Sequence, residues 1–200
     1  MTTLPPGDGH EPTVREARAV YFAENGFDEA GYEDRWVDLE AGPFTIRFPN
    51  SQARVAAVKL HDLHHVATGY ATSWIGEGEA AAWEIAGGCG RHVAAWVLNL
   101  QAVAIAMFLS PPRVWRAFRR GLGAHTLYHG DRVEDWLDRP LAELRAHASR
   151  ADAIHPTGTR AIGSFACWLT ASMVVMGATV ATTVLPVLFL WRLARWATGA

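Results

Sequence analysis

The sequence predicts an all-α protein, a multi-helix domain followed by a C-terminal transmembrane helix. Apolar residues recur at helical spacing in several segments of residues 13–155. Turn residues such as Gly26 and the pair Pro111-Pro112 interrupt these segments where helices would end. Residues 165–191 carry no charged side chain, and about 20 apolar residues are enough for a helix to cross a bilayer core. These observations divide the chain into a helical domain and an apolar tail.

The composition excludes two classes of protein. The chain of 200 residues suits one domain plus an appendage, and its net charge of −2 lacks the basic excess of a nucleic-acid-binding protein. Cys89 and Cys167 form no CxxC pair, so we expect a reducing compartment and no disulfide framework. Residues 1–12 are polar and rich in Pro and Gly. They predict a disordered tail rather than a secretory signal.

The N-terminal part of the domain contains two predicted helices and one extended segment. The first helix covers residues 13–24 and ends at Gly26. Residues 44–48 alternate between apolar and polar side chains, which predicts a short extended segment. After the turn residues 49–51, helical spacing resumes and predicts a second helix over residues 52–68.

The middle of the chain contains further predicted helices. A third helix is expected from about Glu77 onward. Residues 93–109 are apolar except for two amides, and this length lies near the lower limit for a membrane span. We favour a buried helix of the domain here, and the sequence alone leaves a second span open. Residues 113–120 are basic and amphipathic, so Trp115 and Phe118 either enter a lipid interface or belong to a solvated helix.

A single membrane anchor is predicted over residues 164–191. Trp168 and Trp191 lie near its ends, where interfacial aromatic residues are favoured. Before it, residues 131–150 predict charged helices, and residues 155–158 are typical of a linker. Because no secretory signal is expected, the domain should remain in the cytoplasm. Arginines before the tail outnumber those after it, in agreement with the positive-inside rule.

Residues 61–65 read His-Asp-Leu-His-His and predict a metal site on the second helix. At about 100° per residue, His61, Asp62 and His65 share one arc of about 100°. Two histidines at i and i+4 can direct ring nitrogens to one ion from consecutive turns, and Asp62 adds an oxygen donor. His64 lies beside His61 but outside this arc. From the spacing alone, solvated surface histidines remain the alternative.

Two glutamates of the following helix extend this site. Glu77 follows after a loop and can fold back as a fourth ligand. Glu84 lies seven residues later on nearly the same helical face, which makes it a candidate hydrogen-bonding partner behind the ligands. His64 is a second candidate for that outer position. The predicted ligands of a divalent metal are therefore His61, Asp62, His65 and Glu77.

The spacing of these residues matches a known motif. The chain reads His61-Asp62-Leu63-His64-His65, then eleven residues, then Glu77, which fits the pattern His-Asp-x-x-His-x11-Glu. In this motif the chain resembles the coenzyme Q biosynthesis protein-four family. Residues 65–70 and 76–77 are similar to that family as well. The likeness covers about residues 50–90. The apolar tail is a departure, because members of the family are usually described as peripheral membrane proteins.

The resemblance implies a mostly helical domain with zinc bound to His61, Asp62, His65 and Glu77. It also implies an apolar groove for an isoprenoid lipid. The implied role is in ubiquinone biosynthesis, either in decarboxylation or hydroxylation of a prenylated aromatic head group or in organising the pathway. The expected partners are a prenylated quinone precursor or another isoprenoid lipid, the membrane, and other enzymes of the pathway. A non-catalytic lipid-binding or scaffold module remains the alternative to an enzyme.

Two hydrolase interpretations of the motif are weaker. His61-Asp62 also resembles part of the HD phosphohydrolase motif, but those enzymes need an upstream His, and His10 lies in the predicted tail. A zinc peptidase uses His-Glu-x-x-His with the Glu as general base. Asp62 stands at that position, is one methylene shorter, and is not free to act as a base if it is a ligand. Four other histidines are expected at the surface rather than as ligands: His125, His129, His147 and His155.

Overall fold

The computed structural model describes residues 11–41, 44–149 and 158–198. These residues form seven α-helices and one two-stranded sheet, which confirms the mostly helical fold. Residues 1–10 of the predicted disordered tail lie outside the described residues. Its last residue, Pro12, is bound, because its carbonyl oxygen accepts a hydrogen bond from the Leu141 N–H at 2.8 Å.

Helix α1 (Val14–Asn25) begins with a capping box. The Thr13 hydroxyl accepts from the Glu16 N–H at 3.3 Å, and the Glu16 carboxylate accepts from the Thr13 N–H at 2.8 Å. Gly26 ends the helix with a left-handed φ of 67°, which glycine adopts without steric cost. The helix therefore begins and ends one residue later than predicted.

A hairpin follows α1. Strands β1 (Trp36–Ala41) and β2 (Phe44–Pro49) pair in antiparallel fashion. The Arg47 guanidinium donates two hydrogen bonds to the carboxylate of Asp38 on the opposite strand, both at 2.7 Å. The extended segment predicted over residues 44–48 is confirmed as β2, whereas its partner strand was not predicted. The hairpin is a small addition to the helical domain.

Helices α2 (Gln52–Thr68) and α3 (Trp74–Gly87) carry the predicted ligands. Ser51 and Ser73 cap them, each hydroxyl accepting from the N–H three residues on at 3.2 Å. Gly69 ends α2 with a left-handed φ of 75°. Helix α2 has the predicted boundaries, and α3 begins three residues earlier than expected.

Helices α4 (Val93–Leu109) and α5 (Pro111–Gly121) pack closely on α3. A Cβ atom on Gly78 of α3 would lie 2.0 Å from a side-chain carbon of α4, and one on Gly121 would lie 2.3 Å from a backbone oxygen of α3. No larger residue fits at either contact without a shift of the helices. The two glycines thus allow the three helices to approach one another.

One α-helix, α6 (Leu141–Ser149), and one 3₁₀ turn (Val133–Asp135) occupy residues 131–149. The predicted charged helices of this region are therefore one α-helix and one 3₁₀ turn, and residues 136–139 between them form a turn. Pro140 directly precedes α6, as expected at a helix start. Residues 150–157 lie outside the described residues, and with them the predicted domain end at residue 155.

The last helix, α7 (Thr159–Thr198), docks on the domain with one face. Trp168 stacks on Trp96 of α4, with ring centroids 4.8 Å apart. The Gln101 side-chain amide donates to the Thr179 hydroxyl at 2.8 Å. Helix α4 therefore lies between α3 and α7, in agreement with a buried helix of the domain.

Two aromatic residues of the basic helix α5 also face α7. The ring centroids of Trp115 and Phe118 lie 5.0 and 5.1 Å from that of Phe165. Phe118 is almost completely buried. Phe118 therefore packs within the protein rather than in a lipid interface, whereas Trp115 is only partly buried and its place in such an interface stays a prediction.

Part of α7, Thr159–Thr183, is long and apolar enough to cross a membrane by length and composition. The predicted span was residues 164–191, so the two overlap but begin and end differently. Pro186 lies within the helix. Large apolar side chains of α7 remain exposed, namely Ile162, Val174, Val180, Leu185, Phe189, Trp191 and Trp196.

Candidate metal centre

Three of the four predicted ligands converge. Nε2 of His61 lies 3.0 Å from Nε2 of His65 and 3.0 Å from Oε2 of Glu77. Nε2 of His65 lies 3.5 Å from the same oxygen. The two histidines come from consecutive turns of α2, and Glu77 comes from the first turn of α3. These three residues form a group that could hold a metal ion.

The sides of this triangle match a tetrahedral zinc site. Zinc bonds of about 2.0–2.1 Å at tetrahedral angles separate neighbouring ligand atoms by about 3.3 Å. The observed sides of 3.0, 3.0 and 3.5 Å lie on both sides of that value. Two imidazoles and one carboxylate also suit iron(II) and other first-row divalent ions. The residues present therefore fit a divalent metal with three protein ligands.

Hydrogen bonds direct both histidine lone pairs to the same point. Nδ1 of His61 lies 2.7 Å from a carboxylate oxygen of Glu84, and Nδ1 of His65 lies 2.9 Å from the Tyr70 carbonyl oxygen. A carbonyl and an ionised carboxylate only accept, so each Nδ1 carries a proton, and each ring when neutral presents its Nε2 lone pair. Two lone pairs 3.0 Å apart repel each other unless a cation or a proton lies between them.

The neighbouring carboxylates favour positive charge at this point. Burial acts to lower the pKa of His61, but Glu84 and Glu77 outweigh it and raise that pKa well above its usual range. Burial acts to raise the pKa of Glu77, but His61 and His65 lower it to about 2. A proton on His61 supplies the charge in the metal-free protein, and a divalent ion can replace that proton.

Asp62, the remaining predicted ligand, is bound by two tyrosines. One carboxylate oxygen accepts from the Tyr21 hydroxyl at 3.3 Å, and the other accepts from the Tyr32 hydroxyl. Burial raises the pKa of Asp62, while the bond from Tyr32 acts in the opposite direction. Asp62 thus lies beside the converging atoms but outside their group, and its role as a ligand stays a prediction. Tyr21 also stacks on His65, with centroids 5.7 Å apart.

Glu84 lies behind His61 and is fully buried. Its Oε1 accepts from Nδ1 of His61 and from Nδ1 of His64, both at 2.7 Å. Its Oε2 accepts from the Asn99 amide and from the Tyr128 hydroxyl, the latter at 3.1 Å. A carboxylate in this position fixes the tautomer of a metal-binding histidine and makes it more basic.

His64 is completely buried and does not face the point where Nε2 of His61 and Nε2 of His65 converge. Its Nε2 accepts from the Leu127 N–H at 2.8 Å, while its Nδ1 donates to Glu84. Burial lowers its pKa despite the neighbouring carboxylate, so the ring is neutral. Because both nitrogens have partners, His64 joins α2 to the loop after α5 instead of binding a metal.

Four residues around the centre were not predicted: Tyr21, Tyr32, Asn99 and Tyr128. A buried role for Asn99 could have been predicted, because an amide within an apolar helix needs a buried hydrogen-bonding partner. The tyrosines come from α1, from the turn after it and from the loop after α5, and no spacing relates them to the motif.

The centre is open on one side. The Glu77 side chain is 34% exposed, whereas that of His65 is fully buried.

Comparison of the chain with models of known protein families, with curated proteins and with solved structures found no match. The motif and the geometry of this centre are therefore the observations that bear on function.

Proposed function

We propose that this chain is a zinc-dependent, membrane-anchored protein of ubiquinone or related quinone biosynthesis that acts on a prenylated aromatic ring. The proposed change is decarboxylation or hydroxylation of the head group. The likeness of the His-Asp-x-x-His-x11-Glu motif to the coenzyme Q biosynthesis protein-four family supports the pathway. The metal part rests on one observation, the convergence of Nε2 of His61 and His65 with Oε2 of Glu77.

The protein's own groups would hold and orient the reacting partners. A divalent ion supplies Lewis-acid polarisation of a carboxyl or phenolic oxygen when bound. Glu84 keeps His61 in the tautomer that binds metal. Burial, together with the charge of Asp62, raises the pKa of Tyr21 and of Tyr32, so both hydroxyls remain donors to Asp62. Asp62 is thereby fixed beside the ligands, where it can orient water or a ring hydroxyl.

Helix α7 supports the proposed membrane anchor. Its exposed apolar side chains and the span Thr159–Thr183 suit a bilayer. The proposed orientation places the metal-binding domain in the cytoplasm, because positive residues favour that side. The flanking arginines before α7's apolar stretch are Arg139, Arg145, Arg150 and Arg160, against Arg192 and Arg195 after it.

The metal is tested by elemental analysis of purified protein. His65→Ala and Glu77→Ala should each contain about one equivalent of zinc, or of another divalent ion, less than wild type, because this centre holds one ion. Glu24→Ala is the matched control, since Glu24 is an exposed glutamate of α1. Full metal retention in both ligand variants would refute the assignment of this centre.

The reaction is tested with a prenylated hydroxybenzoate in detergent or vesicles, followed by mass spectrometry of the ring. Replacement of the carboxyl group by a hydroxyl from water releases CO₂ and two electrons, and the assay supplies dioxygen, which takes up these electrons and two protons to form hydrogen peroxide. We expect turnover in the metal-loaded wild type and none in Glu77→Ala. Tight binding of the compound without turnover would favour the alternative, a non-catalytic lipid-binding or scaffold module.

The anchor is tested by alkaline carbonate extraction of membranes that contain the full chain. A spanning helix should keep the protein in the pellet. Release into the supernatant would show peripheral attachment and would contradict the proposed anchor, without bearing on the metal centre.

A further inference from the structure

A second group of possible ligands lies away from the first centre. His125 and Asp131 belong to the loop between α5 and α6, and His147 belongs to α6. Nε2 of His125 lies 3.9 Å from one oxygen of Asp131, and Nε2 of His147 lies 3.5 Å from the other. The two imidazole rings are nearly perpendicular, with centroids 4.6 Å apart. His125 and His147 are therefore grouped rather than scattered, and both remain partly exposed; His129 is exposed as expected, and His155 lies outside the described residues.

One atom of this group is buried and lacks a hydrogen bond. Among the residues that the structure describes, Nε2 of His147 is one of three such side-chain atoms. It lies 3.5 Å from Oδ1 of Asp131 but without hydrogen-bond geometry. Buried polar atoms are nearly always satisfied, so an exception of this kind indicates a missing ion or water.

The surroundings hold the group in place. The Trp136 indole N–H donates to Oδ1 of Asp131 at 3.1 Å, and its ring packs on His147 at 4.7 Å between centroids. The His125 backbone N–H donates to the Ala148 carbonyl at 3.2 Å, which ties the loop to α6. Such outer contacts orient metal-binding side chains in known sites.

We propose that His125, Asp131 and His147 form a second divalent-cation site, selective for imidazole-binding ions such as zinc. Two imidazoles and one carboxylate are the donors that these ions prefer, and magnesium and calcium prefer oxygen. The separations of 3.5 and 3.9 Å, each to a different oxygen of Asp131, exceed the tetrahedral value of about 3.3 Å by about 0.2 and 0.6 Å. Small side-chain rotations close that gap.

The site would act on the first centre through one loop. Residues 125–131 contain two of its ligands and also Leu127 and Tyr128. The Leu127 N–H and the Tyr128 hydroxyl are the groups that bind His64 and Glu84 behind the first centre. An ion that joins both ends of this loop to α6 therefore stabilises the outer contacts of His61. This inference does not depend on the proposed enzymatic function.

The test is a cobalt(II) and zinc titration of the full chain, with His65→Ala used to remove the first centre. In that background, one equivalent should still bind and give the absorption bands of cobalt–imidazole coordination. Adding His147→Gln should abolish this binding. Adding His129→Gln, the matched control, should leave it intact, because His129 lies in the same loop but bonds to the Gly87 carbonyl.

Single variants keep the test decisive if the double variants fold poorly. Wild type should bind two equivalents, and His147→Gln and Asp131→Asn should each bind one. A single equivalent in wild type that His65→Ala removes and His147→Gln does not would overturn the second site and leave the first standing. A single equivalent with the opposite response would support the second site and refute the first.

Discussion

Glu84 is the residue whose replacement tests the centre most directly. Its two carboxylate oxygens accept four hydrogen bonds, from His61, His64, Asn99 and Tyr128. Glu84→Met keeps a similar volume and removes all four acceptor contacts. Glu84→Gln keeps one acceptor oxygen and replaces the other with an amide that donates. The two variants therefore separate loss of the acceptors from loss of the charge.

The expected cost follows from which donors can find new partners. The Tyr128 hydroxyl can turn to the Ala57 carbonyl at 3.4 Å, and the Asn99 amide lies 3.4 Å from the Cys89 sulfur. The Nδ1–H groups of His61 and His64 have no such alternative in the contacts of the described residues. Each buried donor without a partner costs about 1–3 kcal/mol. Glu84→Met should therefore destabilise the domain by about 2–6 kcal/mol.

Glu84→Gln should behave differently. Its oxygen can still accept from both histidines, so we expect a stability loss below about 2 kcal/mol. Its zinc affinity should fall about 10- to 100-fold, because the carboxylate that polarises His61 is gone. Urea unfolding and zinc competition titrations measure the two quantities, with the exposed Glu24→Gln as control. Wild-type stability of Glu84→Met would refute the reasoning, and so would Glu84→Gln being the less stable of the two.

Four further substitutions test the packing. Gly78→Ala brings a Cβ to 2.0 Å from a side chain of α4 and should lower the free energy of unfolding by about 1–3 kcal/mol or more. Gly163→Ala meets open space and should stabilise α7 slightly. The urea midpoints of the two variants compare these effects. Thr13→Ala removes the capping box of α1 and should cost about 1 kcal/mol in the same assay, and an unchanged midpoint would contradict the cap. Trp168→Ala removes the stacking contact with Trp96 and should speed proteolysis between α6 and α7; an unchanged rate would show that α7 docks through other contacts.

Local chemistry explains the parts of the fold that the sequence predicted well. Thr13 with Glu16 marks the start of α1, Ser51 marks the start of α2, and the glycines at positions 26 and 69 end these helices. These signals act within one turn of the chain. The meeting of His61 with His65 likewise follows from a spacing of four residues on α2, so periodicity alone predicts that contact.

Contacts between distant segments explain most of what was missed. Strand β1 pairs with β2, and its residues Val37, Leu39 and Ala41 alternate with Asp38 and Glu40, a period-2 signal that the prediction missed. Asp62 lies within the arc of the histidines, but tyrosines from α1 and from the following turn bind its carboxylate. His125 and His147 are 22 residues apart on different elements, and only the tertiary fold brings them together. The spacing of residues along the sequence does not predict such contacts.

The two amides of α4 relate the centre to the apolar helix. Asn99 bonds to Glu84 on one side of α4, and Gln101 bonds to Thr179 of α7. Residues two apart on a helix point about 200° apart, so α4 separates the two features as a single layer. Packed helix axes lie about 8–10 Å apart. Glu84, behind the proposed metal centre, and the docked face of α7 thus lie on opposite sides of α4, an arrangement that suits the proposed ligand with a polar ring and an isoprenoid chain.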